Sequence, residues 1–402
     1  MTKEETVHGA LEGIRVLDLT RVLSGPFSAM VLSDMGADVI KIEQPGKGDD
    51  TRQMGPFQNG QSMYYITNNR NKRGITLNLK APEGKELFKN LVRQADVVVE
   101  NFRPGTMEKL GLGYDVLEKI NPRIIYGSIS GFGHTGRYYK RPGYDIVAQA
   151  MSGVMSVTGW PDSGPTRTGT PLGDVISGLW LVIGILGAIQ GRTVTGRGQC
   201  VDIALVDSAV SIMGNVNMNY LSKGTIPQRL GNRSSQFYPQ DSFGCSDGDC
   251  VIATGNNKLW GLLCQAMEQP ELAGDTAFDT VPKRVEHHEK VKQRIEAWSR
   301  QLSVQEVIDR CDAAGVPAAP IYNVAQVCHD PHIADDRHMF VHQQHPVAGD
   351  VVVTGSPLKL SGTPVQFKAA APLLGQDNDD IYSRLLGLNE EQIKALKDQK
   401  II

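Results

Sequence analysis

One carboxylate in this sequence stands where it could do chemistry. In TRTGTPLGDVISGLWLVIGILGAIQG, residues 166–191, Asp174 follows a glycine and precedes Val175, Ile176, Leu179, Trp180, Ile183, Ile185, Leu186 and Ile189. That apolar run has helical length and spacing and must be largely buried. The residue type allows two roles. As an N-cap, the Asp side chain would accept from free N–H groups of the first turn and complement the positive end of the helix dipole, the commonest reason for an Asp at that place. As a functional group, it would be a carboxylate perturbed by its apolar surroundings.

Other candidates are cations. Lys80, Arg103 and Lys109 suit a phosphate or pyrophosphate, although each alone would be a surface charge in most proteins. NNRNKRG (68–74) and GRYYKRPG (136–143) gather cations beside aromatic residues, as a phosphorylated ligand would require or a solvated face would present. GFGHTG (131–136) spells the dinucleotide fingerprint but fails its context: RYYKRPG rather than a helix follows, and no strand-end acid comes about 20 residues on. Cys245 and Cys250 in GCSDGDC lack zinc-knuckle spacing and a matching pair, and His329, His332, His338, His342 and His345 lack a short metal spacing, so no metal is expected. His287 and His288 read as a solvated helix face.

The elements that must position these groups begin with an alternation of strand-like and helix-like runs. IRVLDL (14–19), ADVIKIE (37–43), ITLNLK (75–80), ADVVVEN (95–101) and RIIYGSIS (123–130) read as strands, with helices from about Phe27 to Met35 and from Pro82 to about Gln94. Val/Ile-rich strands without polar interruption predict a mainly parallel sheet covered on both faces. Ligands of such sheets bind at the strands' carboxyl ends, here TRVLSGP, EQPGKGD, NLKAPEG, ENFRPG and SGFGHTG. A second apolar helix is predicted near 206–222. From about residue 225 the texture turns toward loops, with a strand at GDCVIATG and helices near 257–268, 284–300 and 303–314, a smaller domain. The tail reads as strands, in GDVVVTGSPLKLSG and APLLGQDND, and a charged helix from 389.

The totals fit an ordinary soluble globular protein, long enough for two domains and a large core: 402 residues, 40% hydrophobic, 21% charged. A net charge of −3 leaves no basic field for nucleic acid. The opening MTKEETVHGALEG has no apolar leader, and the most apolar stretch, 179–189, is too short and Gly-punctuated to span a bilayer, so the cytoplasm is expected. Six scattered cysteines predict free thiols.

Read in order, LEGIRVLDLTRVLSGPFSAMVLSDMGADVIKIEQPGKGDDTR, NRNKRGITLNLK, VVVENFRPGTMEKLGLGYDVL, NPRIIYGSISGFGHTG, PLGDVISG, TGRGQCVDIALVDSA, AGVPAAPI and APLLGQ resemble the class III CoA-transferases of the formyl-CoA transferase and carnitine CoA-transferase type, from about Leu11 onward. The resemblance implies a Rossmann-like doubly wound large domain (1–224 and 333–402), a smaller α+β domain (225–332) and an interlocked homodimer. It puts Asp174 where the family keeps a nucleophilic aspartate, which takes acyl groups through a mixed anhydride and an aspartyl-CoA thioester. It implies no tightly bound cofactor, with coenzyme A or acyl-CoA as substrate. Leu23 and Ser24 resemble first-turn contacts for CoA; Leu77, Asn78, Lys80, Asn101, Phe102 and Arg103 resemble its adenosine and phosphate wall; Lys109 and the segment Arg141 to Asp145, with Tyr144, complete it. Ser234, Ser235 and Gln236 stand where formyl-CoA transferase has consecutive glycines in its substrate loop, a departure that puts that enzyme's loop mechanism and oxalate/formate specificity in doubt. The texture lies nearest the branch of acetyl-CoA:oxalate and succinyl-CoA:dicarboxylate transferases, whose second carboxylate wants an arginine, for which Arg52, Arg70, Arg167 and Arg233 are candidates. The family also contains α-methylacyl-CoA racemases. These carry a histidine where Tyr144 stands, and a tyrosine with a pKa of about 10 is a poor base. A CoA-binding protein without turnover is the reading from another class.

Overall fold

The computed structural model describes residues 8–402; residues 1–7, part of the charged opening segment, lie outside them. Six short apolar runs form parallel strands: β1 Arg15–Asp18, β2 Asp38–Glu43, β3 Arg73–Thr76, β4 Val97–Glu100, β5 Ile125–Ser130 and β6 Cys200–Ala204. Their spatial order is β3-β2-β1-β4-β5-β6. The order reverses between β1 and β4, and such a switch point is where doubly wound sheets open a ligand crevice.

Side chains alternate across the sheet. Leu17, Ile40, Ile75, Val98 and Tyr126 share one core with Phe88 and Leu91, which belong to helix Pro82–Val92. Val16, Val39, Val97, Val99 and Ile125 share the other with Ala29, Leu32, Leu181 and Ile185. Helices therefore cover both faces, and the strands are not, as expected, free of polar residues, since Asp18, Lys41, Glu43 and Glu100 are buried within them. Three helices matter for the site: α1 Ser24–Asp34, α2 Asp145–Met151 and α3 Leu172–Thr195.

The C-terminal segment completes the sheet edge. Gly74 N donates to Asp377 Oδ2 (2.6 Å), Thr76 N to Asn378 Oδ1 (2.9 Å) and the Tyr382 hydroxyl to Thr76 O (2.7 Å), so side chains satisfy backbone groups of edge strand β3. APLLGQDND, expected as strand, instead leads into the helix Asn378–Leu386.

Three expectations on element limits change. The third strand ends at Thr76 rather than 80, because Asn78 turns the chain, accepting from Lys80 N (3.1 Å), ahead of the helix that Pro82 opens. The helices near 206–222 and 284–300 are each two, Leu205–Ser211 with Gly214–Lys223 and Val281–Glu286 with His288–Ser299. His287 forms the second break, and its ring and that of His288, both half-buried, pack edge-on against Phe278 and Tyr238. Third, the apolar run belongs to a helix of 24 residues, mean hydropathy 2.0 over its most apolar window, which by length and composition is long enough to cross a membrane. The glycines at 173, 178, 184, 187 and 191 do not interrupt this helix, so it is longer than the stretch 179–189. Core helices of soluble proteins pass the same test, and here Leu181, Val182, Ile185 and Ala188 are buried in the core.

The chain divides into two compact units: residues up to Val154 with Arg167–Asn217 and Pro331–Ile402, and Met155–Thr166 with Met218–Asp330. The second unit has a three-stranded antiparallel sheet, Gln240–Gly244, Asp249–Ala253 and Ala318–Pro320, packed with helices on Phe243, Trp260, Leu263, Ile295 and Val307. All six cysteines are free, and the Cys245 and Cys250 sulfurs lie 3.6 Å apart across the hairpin.

Candidate active site

Asp174 does not cap its own helix. It is the third residue of α3, whose N-cap is Pro171, without a side-chain cap. Asp145, from α2, caps it instead: its Oδ1 accepts from Gly173 N (2.7 Å) and Asp174 N (3.3 Å). The capping reading of Asp174 is thereby corrected, since orphan N–H groups of the first turn are already satisfied from another helix and the Asp174 carboxyl has no such task. Two glycines make the arrangement possible. A Cβ at Gly173 would sit 3.1 Å from that same Asp145 oxygen, and one at Gly178 only 2.8 Å from Ser24 O, where α3 lies against the first turn of α1. Burial first, and then the Asp145 charge, raise the Asp174 carboxyl to about 7.

Two clefts open beyond the strand ends in this unit. One, of about 210 Å³, is lined by Leu23, Ser24, Asn101, Phe102, Arg103, Arg141, Tyr144 and Asp174, with Arg21, Val22 and Ser130 among others. The other, of about 410 Å³, is lined by Leu77, Asn78, Lys80, Phe102 and Lys109, with Arg21 and Lys47. Arg21 and Phe102 line both, so residues from all five strand-end segments, with singled-out positions from three of them, meet around one crevice at the switch point. Asp145 lines neither cleft. Ser234, Ser235 and Gln236 belong to the second unit, where Ser234 Oγ accepts from the backbone N–H groups of Gln236 (3.2 Å) and Phe237 (3.3 Å).

Several of these residues shape the crevice as well as line it. The Asn101 amide accepts from Arg21 N and donates to Arg21 O, both at 2.7 Å, locking together the loops after β1 and β4. Next to that clamp Val22 has φ of 68°. A β-branched residue in the left-handed region carries strain of about 1–3 kcal/mol and persists only where its surroundings impose it. Here they are the clamp and Asp49 Oδ1, which accepts from Val22 N (3.3 Å). Below the turn, Glu100 Oε2 accepts from Phe102 N (2.7 Å), and burial lifts this carboxyl to about 8.

The cation clusters part company. The cations of NNRNKRG are engaged by carboxylates rather than spread over a solvated face. Arg70 is buried against Asp34 (2.6 Å), Lys72 against Asp18 (2.9 Å), and Arg73 pairs with Asp38 (2.6 Å). Arg52 is held by Glu43 through two bonds (2.7 and 2.6 Å) and stacks on Tyr65. Of the four arginines considered for an acceptor carboxylate, Arg52 and Arg70 are thus engaged. Arg167 lies in the first unit and Arg233 in the second. Lys80, Arg103, Lys109 and Arg141 have no ion-pair partner among the described residues. Arg21, Val22 and Lys47 were not singled out from the sequence, although they sit in TRVLSGP and EQPGKGD, two of the strand-end segments. No group of three or more His, Cys, Asp or Glu side chains among the described residues could hold a metal ion.

Comparison with known proteins bears on the chemistry. The model of CoA-transferase family III matches residues 11–378. The chain is 41% identical over 383 residues to a succinyl-CoA:mesaconate CoA-transferase of Haloarcula marismortui, covering 93% of this chain and 96% of that one. It is 41% identical over 355 residues to an acetyl-CoA:oxalate CoA-transferase of Acetobacter aceti, covering 88% and 90%. Among solved structures, a CAIB/BAIF family protein from Brucella suis superposes with a TM-score of 0.84 at 38% identity, covering 94% of this chain and all of that one.

Proposed function

The chain belongs to CoA-transferase family III and is a CoA-transferase, and we propose that it moves CoA from a short acyl thioester to a small dicarboxylate through Asp174. The observation that carries this reading is a carboxylate with no structural hydrogen-bonding task, held in a crevice at the switch point of a doubly wound sheet. In the first step the Asp174 carboxylate attacks the thioester carbonyl, giving a mixed anhydride and CoA thiolate. The thiolate then attacks the aspartyl carbonyl, releasing the donor acid and leaving an aspartyl-CoA thioester. The acceptor carboxylate repeats the two steps in reverse, so no ATP is needed.

Residues around the crevice suit the parts of that substrate. Lys80, Lys109 and Lys47 flank the larger cleft, where the adenosine and its phosphates would lie, and Arg103 and Arg141 flank the smaller one toward Asp174. Helix α1 begins at Ser24 without a side-chain cap, so its first-turn N–H groups and dipole favour the developing oxyanion. A racemase would need an acid/base pair, and the exposed Tyr144 supplies no base.

The test is exchange itself. Acetyl-CoA, succinyl-CoA or oxalyl-CoA, incubated with the protein and a panel of mono- and dicarboxylates, should give new thioesters by mass spectrometry, with dicarboxylates preferred. Absence of exchange with every pair would overturn the assignment. A burst of free CoA on mixing with acyl-CoA separates turnover from mere binding.

We further propose a homodimer. The outer face of α3 leaves Leu179, Trp180 and Ile183 exposed at 42, 40 and 55%, beside an apolar cleft that also includes Phe27, Met30, Tyr64 and Pro357. Apolar patches of that kind on soluble proteins are usually covered. Sedimentation should give twice the chain mass, and if the two chains interlock, tagged and untagged subunits should exchange no faster than they unfold. A monomer in solution would contradict it.

A further inference from the structure

We propose that Gln149, a residue outside both clefts, is the positioning residue that presents Asp174, acting through Asp145 and the loop that precedes α3. The proposal rests on the reading of Asp174 as nucleophile. Gln149 lies on α2 and is fully buried. Its Oε1 accepts from Thr168 N (2.9 Å), and the Thr168 hydroxyl lies within reach of the same oxygen (3.1 Å) and of Thr170 O (2.7 Å). Its Nε2 donates to Asp145 Oδ2 (2.6 Å), while Asp145 Oδ1 accepts from Gly173 N (2.7 Å) and Asp174 N (3.3 Å). One side chain therefore fixes both ends of the segment from Thr168 to Asp174.

The polarity of this chain of bonds is determined. A backbone N–H can only donate, so the atom of Gln149 facing Thr168 is the oxygen and the atom facing Asp145 is the nitrogen. Asp145 then receives donors on both oxygens, from Gln149 and from the helix. Gln149 thereby sets two properties of the site. It holds the start of α3 in one geometry, and it keeps a negative charge behind the nucleophile. A glutamate at 149 could still accept from Thr168 but would face Asp145 as a second carboxylate. A leucine would leave Asp145 Oδ2 without its donor.

A merely space-filling glutamine and a positioning one differ in what compensates its loss. The double variant Asp145→Asn/Gln149→Glu reverses the polarity of a single bond: the introduced amide donates to the introduced carboxylate, which still accepts from Thr168, and the amide oxygen still accepts from Gly173 N. Gln149→Leu, Gln149→Glu, the double variant and Asp174→Asn are compared with the wild type in steady-state exchange, using whichever acyl-CoA and dicarboxylate the wild type turns over. Thermal melts check the fold. In Gln149→Leu and Gln149→Glu, kcat should fall by about 100-fold, as expected for a nucleophile displaced by about 1 Å, with KM for acyl-CoA within about threefold because the CoA cleft is untouched. The double variant should recover kcat to within about tenfold of wild type. Its acid limb in kcat/KM should lie at lower pH, since the negative charge has moved further from Asp174. Asp145 is the charge that raises the Asp174 carboxyl, the Asp174 charge raises the Tyr64 hydroxyl, and Arg21, Asp50, Arg103, Arg141 and Tyr144 line the cleft with Asp174.

A folded Gln149→Leu with kcat within about threefold of wild type would overturn the proposal. So would a double variant no better than Gln149→Glu alone, which decides the matter even if Gln149→Leu fails to fold. Exchange at the wild-type rate by Asp174→Asn would instead remove the nucleophile reading on which the proposal rests, and the two failures are told apart by that one control.

Discussion

Replacing Asp174 with asparagine should lower CoA exchange by about 10³-fold or more while leaving a folded protein that still binds CoA. A neutral amide cannot form the anhydride, and no other carboxylate stands beside Asp174 in the smaller cleft except Asp50, on the loop after β2. Hydroxylamine or borohydride added to the wild type during turnover should modify one peptide, the one containing Asp174, as a mass change. A variant keeping more than about a hundredth of wild-type exchange would return the reaction to some other group. The pH dependence follows from the same residue. Because burial and Asp145 hold its carboxyl at about 7, the attacking carboxylate is lost as pH falls through that value, and kcat/KM should fall with it.

Stability should move the opposite way. A carboxyl raised in the folded state binds protons that the unfolded chain has already released, so between the usual carboxylate range and about 7 the native state is progressively disfavoured as pH rises. Asparagine has no such titration. The melting temperature of Asp174→Asn should therefore match or exceed that of the wild type, with a gap that widens from pH 5 to 8. Were Asp174 a helix cap instead, asparagine would keep the capping hydrogen bond, cost at most about 1 kcal/mol and leave exchange largely intact.

How much of this was legible in the sequence depends on how local each signal was. The β-rich runs around Val16, Val39 and Val98 read correctly because their Val and Ile outweigh the few polar residues inside them, Asp18, Lys41, Glu43 and Glu100, which are buried too; within the strand-end segments it was the family resemblance that pointed to Leu23, Asn101 and Phe102. Asp174 could be located but not given its surroundings. Its apolar run suggested a cap because the sequence places no other carboxylate nearby, whereas the fold brings Asp145 from another helix to do that work. The same long-range pairing hid the nature of NNRNKRG. Its three cations read as a basic patch until Asp34, Asp18 and Asp38 are seen to lie against them. Gln149 gave no signal at all, since a buried amide on a short helix is recognisable only from what it touches.

Lys72 is where that hidden pairing should tell most on stability. Both Lys72 and Asp18 are fully buried, and the Lys72 ammonium donates to Asp18 Oδ2 (2.9 Å), Pro26 O (2.9 Å) and Asn69 Oδ1 (2.8 Å). These bonds join β1, the first turn of α1 and the helix Met63–Asn69, the elements that enclose the Val22–Ser24 loop. Asp18 in turn accepts from Thr20 N (2.9 Å), so the pair shapes the loop that faces Asp174. Lys72→Met would leave the Asp18 carboxylate buried without one of its two cations, Lys41 being the other. Breaking a buried pair from one side typically costs about 3–5 kcal/mol, and urea unfolding of this variant should show a loss of that size. Asp18→Asn/Lys72→Met should recover most of it, because the asparagine oxygen can still accept from Thr20 while no buried charge is left uncompensated. The loss belongs to the stranded carboxylate rather than to the pair's attraction if the double variant is the more stable of the two. If instead Lys72→Met unfolds at the wild-type urea concentration, the three bonds of its ammonium do not hold the loop in place, and the strained backbone at Val22 is imposed by the Asn101 clamp and Asp49 without it.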